Sequence, residues 1–188
     1  INILWGGNAP ALKVGLIAIP PLWSGFWRFA LGVICIAGWA RLNGIPMRPR
    51  RDEWLGLLLL GLLFTVQIGL LNIGTRYTTG SFSAVIIATY PLFTALYAHL
   101  LLPGERLGVA RLSGMLIAFA GICAVFVQDW FALMGRATAL GNAICLVSAA
   151  LLGGRHVLAA HLLQRIDPTR VVLWQMLVSL PCFALAGW

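Results

Sequence analysis

The sequence predicts an all-α membrane protein folded as a polytopic helical bundle. Of its 188 residues, 61% are hydrophobic and only 10% are charged, whereas soluble domains carry about 45–50% apolar and about 25% charged residues. The apolar residues form runs of roughly 20 residues, the length at which a helix crosses a bilayer. Alternation at period two, which transmembrane barrels show, is absent from these runs. A soluble fold is therefore excluded and a barrel is disfavoured.

Seven apolar runs are candidate transmembrane spans. Short links that contain Gly or Pro separate most of them, such as Pro20-Pro21 and Asp167-Pro168, and links this short join antiparallel neighbours in a compact bundle. In chain order, spans 1 to 7 are predicted to cover 3–19, 21–41, 54–74, 81–102, 108–127, 138–158 and 170–188.

The arginines in the links predict the orientation of the bundle. Eight lie after spans 2, 4 and 6, two lie after spans 3 and 5, and the first link has none. Because cytoplasmic loops are enriched in Lys and Arg, the first group is predicted to be cytoplasmic and span 1 to run from inside to outside. Arginine is used almost to the exclusion of lysine, which favours a GC-rich bacterial genome. We therefore expect an integral, multi-pass protein of the bacterial inner (plasma) membrane.

Several functional classes lack support in the sequence. A net charge of +8 could indicate nucleic-acid binding, but the basic residues lie in the links, where the positive-inside rule places them. The four cysteines lie singly inside apolar runs, so neither a metal site nor a disulfide framework is predicted. An intramembrane hydrolase is disfavoured because no GxSxG motif occurs, and Ser81 and Ser83 lie at the opposite end of span 4 from His99. We predict no nucleic-acid partner, no cofactor, no metal and no catalytic residue.

The chain resembles itself at an offset of 147 residues. At this offset Pro21 and Trp27 align with Pro168 and Trp174. Five spans separate the copies, and an odd number inverts the second copy in the membrane. Inverted repeats are typical of secondary transporters, whose halves rock about a site near the bilayer midplane. A complete second copy would extend beyond Trp188, so we expect this sequence to be part of a longer protein.

Short motifs follow one another in a characteristic order. They are Trp5-Gly6-Gly7-Asn8 in span 1, Arg28-Phe29 in span 2, Pro91-Leu92-Phe93 in span 4 and Glu105-Arg106-Leu107 after it. In these motifs and their spacing the chain resembles the drug/metabolite transporter superfamily, specifically its EamA-type members. The resemblance implies a ten-helix inverted-repeat (5+5) architecture, of which about seven helices are present, and efflux of small metabolites such as amino acids. Residues 1–128 would form the first repeat, truncated at its N-terminus, and 138–188 the first two helices of the second.

Seven residues are candidates for lining a transport cavity. Lys13 and Arg28 are predicted to lie about 10 Å below the outer surface, where a cation usually faces a cavity or a partner. Asn8 and Tyr90 lie beside or near prolines, which interrupt helical hydrogen bonding. Structural explanations compete, because long cations snorkel to the interface and polar side chains join helices. The predicted set is Trp5, Asn8, Lys13, Arg28, Gln67, Tyr90 and Ser148. Arg155 and His156 are instead predicted to close span 6 at its cytoplasmic end, where positive charge is expected.

These features predict a secondary transporter that exports small metabolites, such as amino acids or related compounds, by alternating access, and not an enzyme. The alternatives are a nucleotide-sugar-type carrier of the same superfamily and a non-transport oligomeric membrane subunit. The predicted partners are a small-molecule substrate and the lipid bilayer, and a homodimer is left open. No Asp or Glu lies within a predicted span, so a carboxylate proton relay is not expected from these seven spans.

Overall fold

The computed structural model describes residues 11–101, 108–125 and 136–187, and these are helical apart from short connections. No strand occurs within these three ranges. The helices are α1 (11–18), α2 (Pro21–Leu42), α3 (Trp54–Tyr77), α4 (Gly80–Ile87), α5 (Tyr90–Leu101), α6 (Val109–Val125), α7 (Arg136–Leu162) and α8 (Pro168–Ala186). The predicted all-α fold class is confirmed.

Within the described residues, five helical stretches are long and apolar enough to cross a membrane. They are Pro21–Leu42, Trp54–Tyr77, Gly80–Leu101, Thr138–Leu162 and Pro168–Ala186, and they correspond to predicted spans 2, 3, 4, 6 and 7. Large apolar side chains lie exposed on the outside of the bundle, including Ile17, Leu31 and Val109. A bilayer, rather than water, is the solvent that suits such a surface.

Two predicted spans differ from the observed helices. Span 4, predicted as one helix over 81–102, is broken into α4 and α5 at Ala88 and Thr89. Span 6, predicted to end at 158, continues as α7 to Leu162. This helix therefore passes beyond Arg155 and His156, which the sequence placed at its cytoplasmic end. Backbone hydrogen bonding continues through both residues because neither is a helix breaker.

Helix α3 lies at the centre of the bundle and packs against α7 and α8. It runs antiparallel to α7, since its start at Gly56 faces Leu162 and its end at Gly74 faces Gly141. It runs parallel to α8, since the Trp54 and Trp174 rings, near the two helix starts, lie 4.7 Å apart. The helix that borders most of the others is therefore also the one that can place side chains toward several of them at once.

Close backbone contact joins α3 to α7. A Cβ atom added at Gly74 would lie 2.7 Å from the Cys145 Sγ and 3.0 Å from the Gly141 carbonyl oxygen, and one added at Gly141 would lie 2.9 Å from the Gly74 carbonyl oxygen. Small residues allow membrane helices to approach this closely. Beside the same crossing, the Thr78 hydroxyl donates to the Asn142 side-chain oxygen at 2.6 Å. The C-terminal end of α3 therefore packs closely against α7.

Helices α2 and α8, which the repeat aligns with each other, pack in opposite directions. The Trp23 Nε1 near the start of α2 donates to the Gly187 carbonyl at the end of α8, at 3.0 Å. Farther along α2, Gly32 faces Met176, and the Phe29 and Phe183 rings stack at 5.9 Å. Two copies related by inversion require this antiparallel arrangement, while the assignment of 1–128 and 138–188 as repeats stays a prediction.

Candidate substrate cavity

The break between α4 and α5 follows from local chemistry. Pro91 has no N–H, so the hydrogen bond to the residue 87 carbonyl is missing. The Thr89 hydroxyl turns back to donate to the Ile86 carbonyl at 2.7 Å, and the Leu92 N–H donates to the Thr89 carbonyl at 3.0 Å. Irregular backbone inside a membrane is tolerated where it is buried in protein or lines a cavity. We therefore expect either packed protein or a cavity beside this break.

A cavity of about 310 Å³ lies beside the break, between α1, α2, α3, α4, α5 and α7. Most of its wall is apolar, with side chains such as Leu71 and Leu152. Its polar wall residues are Arg28, Gln67, Thr75, Ser83, Tyr90 and Arg155. None of the cavity-lining residues in the described ranges is acidic. The wall therefore carries two formal positive charges without a formal negative charge.

The two arginines rest on adjoining phenyl rings. The Arg28 Cζ lies 5.2 Å from the Phe29 ring centroid, and the Arg155 Cζ lies 4.9 Å from that of Phe64. The two rings meet edge to face at 4.8 Å, so one continuous aromatic pair supports both guanidinium groups. Within the described ranges neither guanidinium has a hydrogen bond or an ion pair, and a cation–π contact contributes only about 0.5–2 kcal/mol. Both cations therefore remain able to bind an anion.

Gln67, one of the cavity-lining residues, has an unpaired amide oxygen. Gln67 is 1% exposed, and its Oε1 atom has no hydrogen-bond partner among the described residues. Ser148 on α7 donates its hydroxyl proton to the Gln67 backbone carbonyl at 2.8 Å, so the same hydroxyl oxygen can only accept from the Gln67 Nε2 at 3.2 Å. Ser148 thus fixes the amide with its nitrogen toward α7 and leaves the oxygen as the unsatisfied end.

Lys13 is near this region but is engaged elsewhere. Its ammonium donates to the carbonyls of Thr75, Arg76 and Thr78 at 2.9, 3.0 and 2.6 Å. The last carbonyls of a helix have no partner within that helix, and a cation there also suits the helix dipole. Lys13 does not line the cavity and instead joins α1 to the C-terminal end of α3.

The predicted site residues therefore have different positions. Arg28, Gln67 and Tyr90 line the cavity, and Ser148 lies behind Gln67 and orients it. Trp5 and Asn8 lie outside the described residues. The Tyr90 ring meets the His156 ring edge to face at 5.0 Å.

Arg155 is the residue that the sequence interpretation missed. It was assigned to a cytoplasmic helix end, yet α7 continues to Leu162 and Arg155 lines the cavity. An available signal was the apolar sequence that follows it, Val157-Leu158-Ala159-Ala160, which extends the span and places the arginine inside it. An ionisable residue inside a span is a functional-site candidate.

A second polar cluster lies at the end of the bundle that is predicted to be cytoplasmic. The Arg170 Nη1 lies 3.0 and 2.9 Å from the two carboxylate oxygens of Glu53, and its Nε donates to the Pro46 carbonyl at 2.9 Å. The Trp174 Nε1 donates to the Met47 carbonyl at 2.8 Å. These contacts join the start of α8 to the start of α3 and to the α2–α3 link.

The Glu53 carboxyl lies outside the membrane-length stretches, and its pKa is lowered. Burial by itself raises this pKa, but a 2.8 Å hydrogen bond from the Arg50 N–H, together with the Arg170 guanidinium, outweighs burial. The ionised pair is therefore the stable form of this contact at neutral pH.

Comparison with known proteins places this bundle in a family. The chain is 26% identical over 166 residues to an uncharacterized transporter of Archaeoglobus fulgidus, covering 88% of the chain and 56% of that protein. It is 22% identical over 181 residues to the uncharacterized transporter YoaV of Bacillus subtilis, covering 95% and 61%. It is also 29% identical over 123 residues to the uncharacterized inner membrane transporter YedA of Escherichia coli K12, covering 65% and 40%. No solved structure matches the chain significantly.

The chain spans less than two thirds of the length of each of these relatives. The description of the matching family is the EamA-like transporter family, and its model covers residues 1–127. Together with the membrane-length apolar helices, this match shows that the chain is an integral, multi-pass membrane protein that belongs to the EamA-like transporter family.

Proposed function

We propose that this protein is a secondary transporter of the bacterial inner membrane that exports small metabolites, such as amino acids or related compounds, by alternating access. The 310 Å³ cavity beside the α4–α5 break is its cargo site. Binding and rocking motions are sufficient for this function, and no covalent chemistry is required.

The observation that carries the proposal is the pair of arginines on the cavity wall. A cation inside a membrane span is costly and is usually paired, yet among the described residues Arg28 and Arg155 have only phenyl faces as partners. An anionic group of the cargo would supply the missing partner. The cavity also lies between α7, which starts the predicted second repeat, and helices of the first, where transporter sites occur.

The size of the cavity favours a small metabolite over a nucleotide sugar. Ligand pockets span about 300–1,000 Å³, and this cavity lies at the lower end of that range. A small amino acid or organic acid fits such a volume better than a nucleotide sugar with its base, two phosphates and two sugar rings.

The cytoplasmic cluster has a place in the proposed cycle. Arg170 and Glu53 belong to the predicted second and first repeats respectively, and their contact closes the inner end of the bundle. Opening toward the cytoplasm would separate the repeats here, so we infer that this ion pair breaks and re-forms in each cycle. Export as the direction follows the resemblance to EamA-type transporters.

Flux in proteoliposomes that contain the full-length protein tests the proposal. We expect Arg28→Ala to lower the flux of anionic amino acids about tenfold or more, because a hydrogen bond to a charged group contributes about 1.5–3 kcal/mol, and to lower neutral amino acid flux less. The matched control is Arg76→Ala, an exposed arginine at the end of α3 that does not line the cavity. Equal losses for anionic and neutral substrates would refute the role of Arg28, and no flux of any small metabolite would refute the function.

A further inference from the structure

We infer that the cargo carries two anionic groups and one hydrogen-bond donor, and that Arg28, Arg155 and the Gln67 Oε1 atom recognise these three groups. This inference rests on the proposed function, because it specifies which small metabolite the same cavity takes. Each recognising atom lies on a different helix, α2, α7 and α3 respectively.

Pairing of both cations requires two anionic groups. The cavity wall has two guanidinium groups, and no acidic residue of the described ranges lines it. A ligand with a single anionic group would leave one guanidinium group without an ion-pair partner, whereas ionisable groups inside a membrane span are usually paired. A ligand with two carboxylates, or with a carboxylate and another acid, supplies a partner for each.

The geometry assigns the two anions to separate positions. Arg28 lies over the Phe29 ring and Arg155 over the Phe64 ring, and these rings meet edge to face. Each guanidinium group thus lies against its own ring of this aromatic pair. An acid with its two charged ends joined by a short apolar chain suits this arrangement, and the apolar wall suits the chain.

Gln67 adds the requirement for a donor. Its Oε1 is an acceptor in a residue that is 1% exposed, and it has no partner among the described residues. Ser148 prevents the amide from reversing, because the serine proton is already used on the Gln67 backbone carbonyl. An N–H or O–H group of the cargo would satisfy this oxygen, and a site that hydrogen-bonds such a group discriminates strongly against analogues that lack it.

A matched set of probes tests each group separately. L-glutamate has two carboxylates and an ammonium, glutarate lacks the ammonium, and L-glutamine lacks the second carboxylate. In counterflow assays with proteoliposomes of the full-length protein, we expect the uptake of L-glutamate to exceed that of each analogue at least about tenfold. The loss of one charge-assisted hydrogen bond lowers affinity by about that factor.

Variants connect each preference to its residue. Arg155→Gln should remove the preference for L-glutamate over L-glutamine, and Arg155→Lys should retain part of it. Gln67→Met should remove the preference for L-glutamate over glutarate and leave that over L-glutamine in place. Arg76→Gln, outside the cavity, should change neither ratio.

A measurement on the unmodified protein covers variants that do not fold. L-glutamate should raise its melting temperature in detergent more than either analogue does at equal concentration. If neutral amino acids are transported at the same rate as L-glutamate and Arg155→Gln leaves the uptake ratios unchanged, this inference is overturned, while the proposed transport function is retained. If none of a broad panel of small metabolites is carried, the proposed function fails, and this inference fails with it.

Discussion

Substituting Gly74 by Ala should destabilise the protein by disrupting the α3–α7 crossing. The new Cβ would lie 2.7 Å from the Cys145 Sγ and 3.0 Å from both the Cys145 nitrogen and the Gly141 carbonyl oxygen. Two of these three atoms belong to the backbone, so the helices must separate. Overpacking of this kind costs about 1–3 kcal/mol, and we take the upper end because backbone atoms cannot rotate away. Ala gains about 0.5–1 kcal/mol over Gly in a helix, which leaves a net loss of about 2 kcal/mol.

Thermal unfolding in detergent measures this loss. A net change of about 2 kcal/mol corresponds to a fall in melting temperature of about 4–8 °C for a chain of 150–250 residues. Gly114→Ala in α6 is the matched control, because a Cβ there has no neighbour within 4 Å in the described part of the chain, and it should be neutral or stabilising. A Gly74→Ala protein as stable as the Gly114→Ala protein would show that the close crossing does not constrain α3.

Two further predictions concern the Glu53–Arg170 pair and the α4–α5 break. The lowered pKa of Glu53 means that its contribution to stability is present above the usual carboxyl pKa of about 4.3 and is lost as pH falls through the lowered value. The melting temperature of the natural protein should therefore decline below about pH 4, whereas the Glu53→Gln protein should melt at a lower temperature at pH 7 and show a smaller decline. The control is Asp52→Asn, at an exposed neighbour, which should follow the natural protein. Parallel melting curves against pH for all three proteins would contradict the role of the pair. Pro91→Ala restores the missing backbone donor, so the helix should become more continuous from α4 to α5. Counterflow should then fall without loss of the folded protein. Undiminished counterflow would show that the break is not needed for transport.

The sequence predicted the fold class because membrane helices are set by segment length and hydropathy, which need no knowledge of neighbours. The kink near Pro91 was also predictable from the missing N–H, although its extent was not. The Thr89 hydroxyl, by donating to the Ile86 carbonyl, stabilises a two-residue interruption where a continuous bent helix had been expected.

The candidate site was predicted only in part because it depends on which helices adjoin. Arg28, Gln67 and Tyr90 could be selected as polar residues inside apolar spans, and all three line the cavity. The partners of Lys13 are backbone carbonyls more than sixty residues away, and nothing in the local sequence marks them. Arg155 was missed for a different reason: a charged dipeptide was taken as the end of a span whose helix continues to Leu162.

The different partners of the cations separate structural from functional positions. Lys13 donates to three helix-end carbonyls, and Arg170 binds the Glu53 carboxylate. Both are thus paired with groups of the protein itself and stabilise opposite ends of the bundle. Within the part of the chain that the structure describes, Arg28 and Arg155 contact only phenyl faces, which supply a small fraction of the stabilisation that a carboxylate would. Because an unpaired intramembrane cation is unfavourable for folding, its presence on a cavity wall supports our proposal that an anionic cargo completes it.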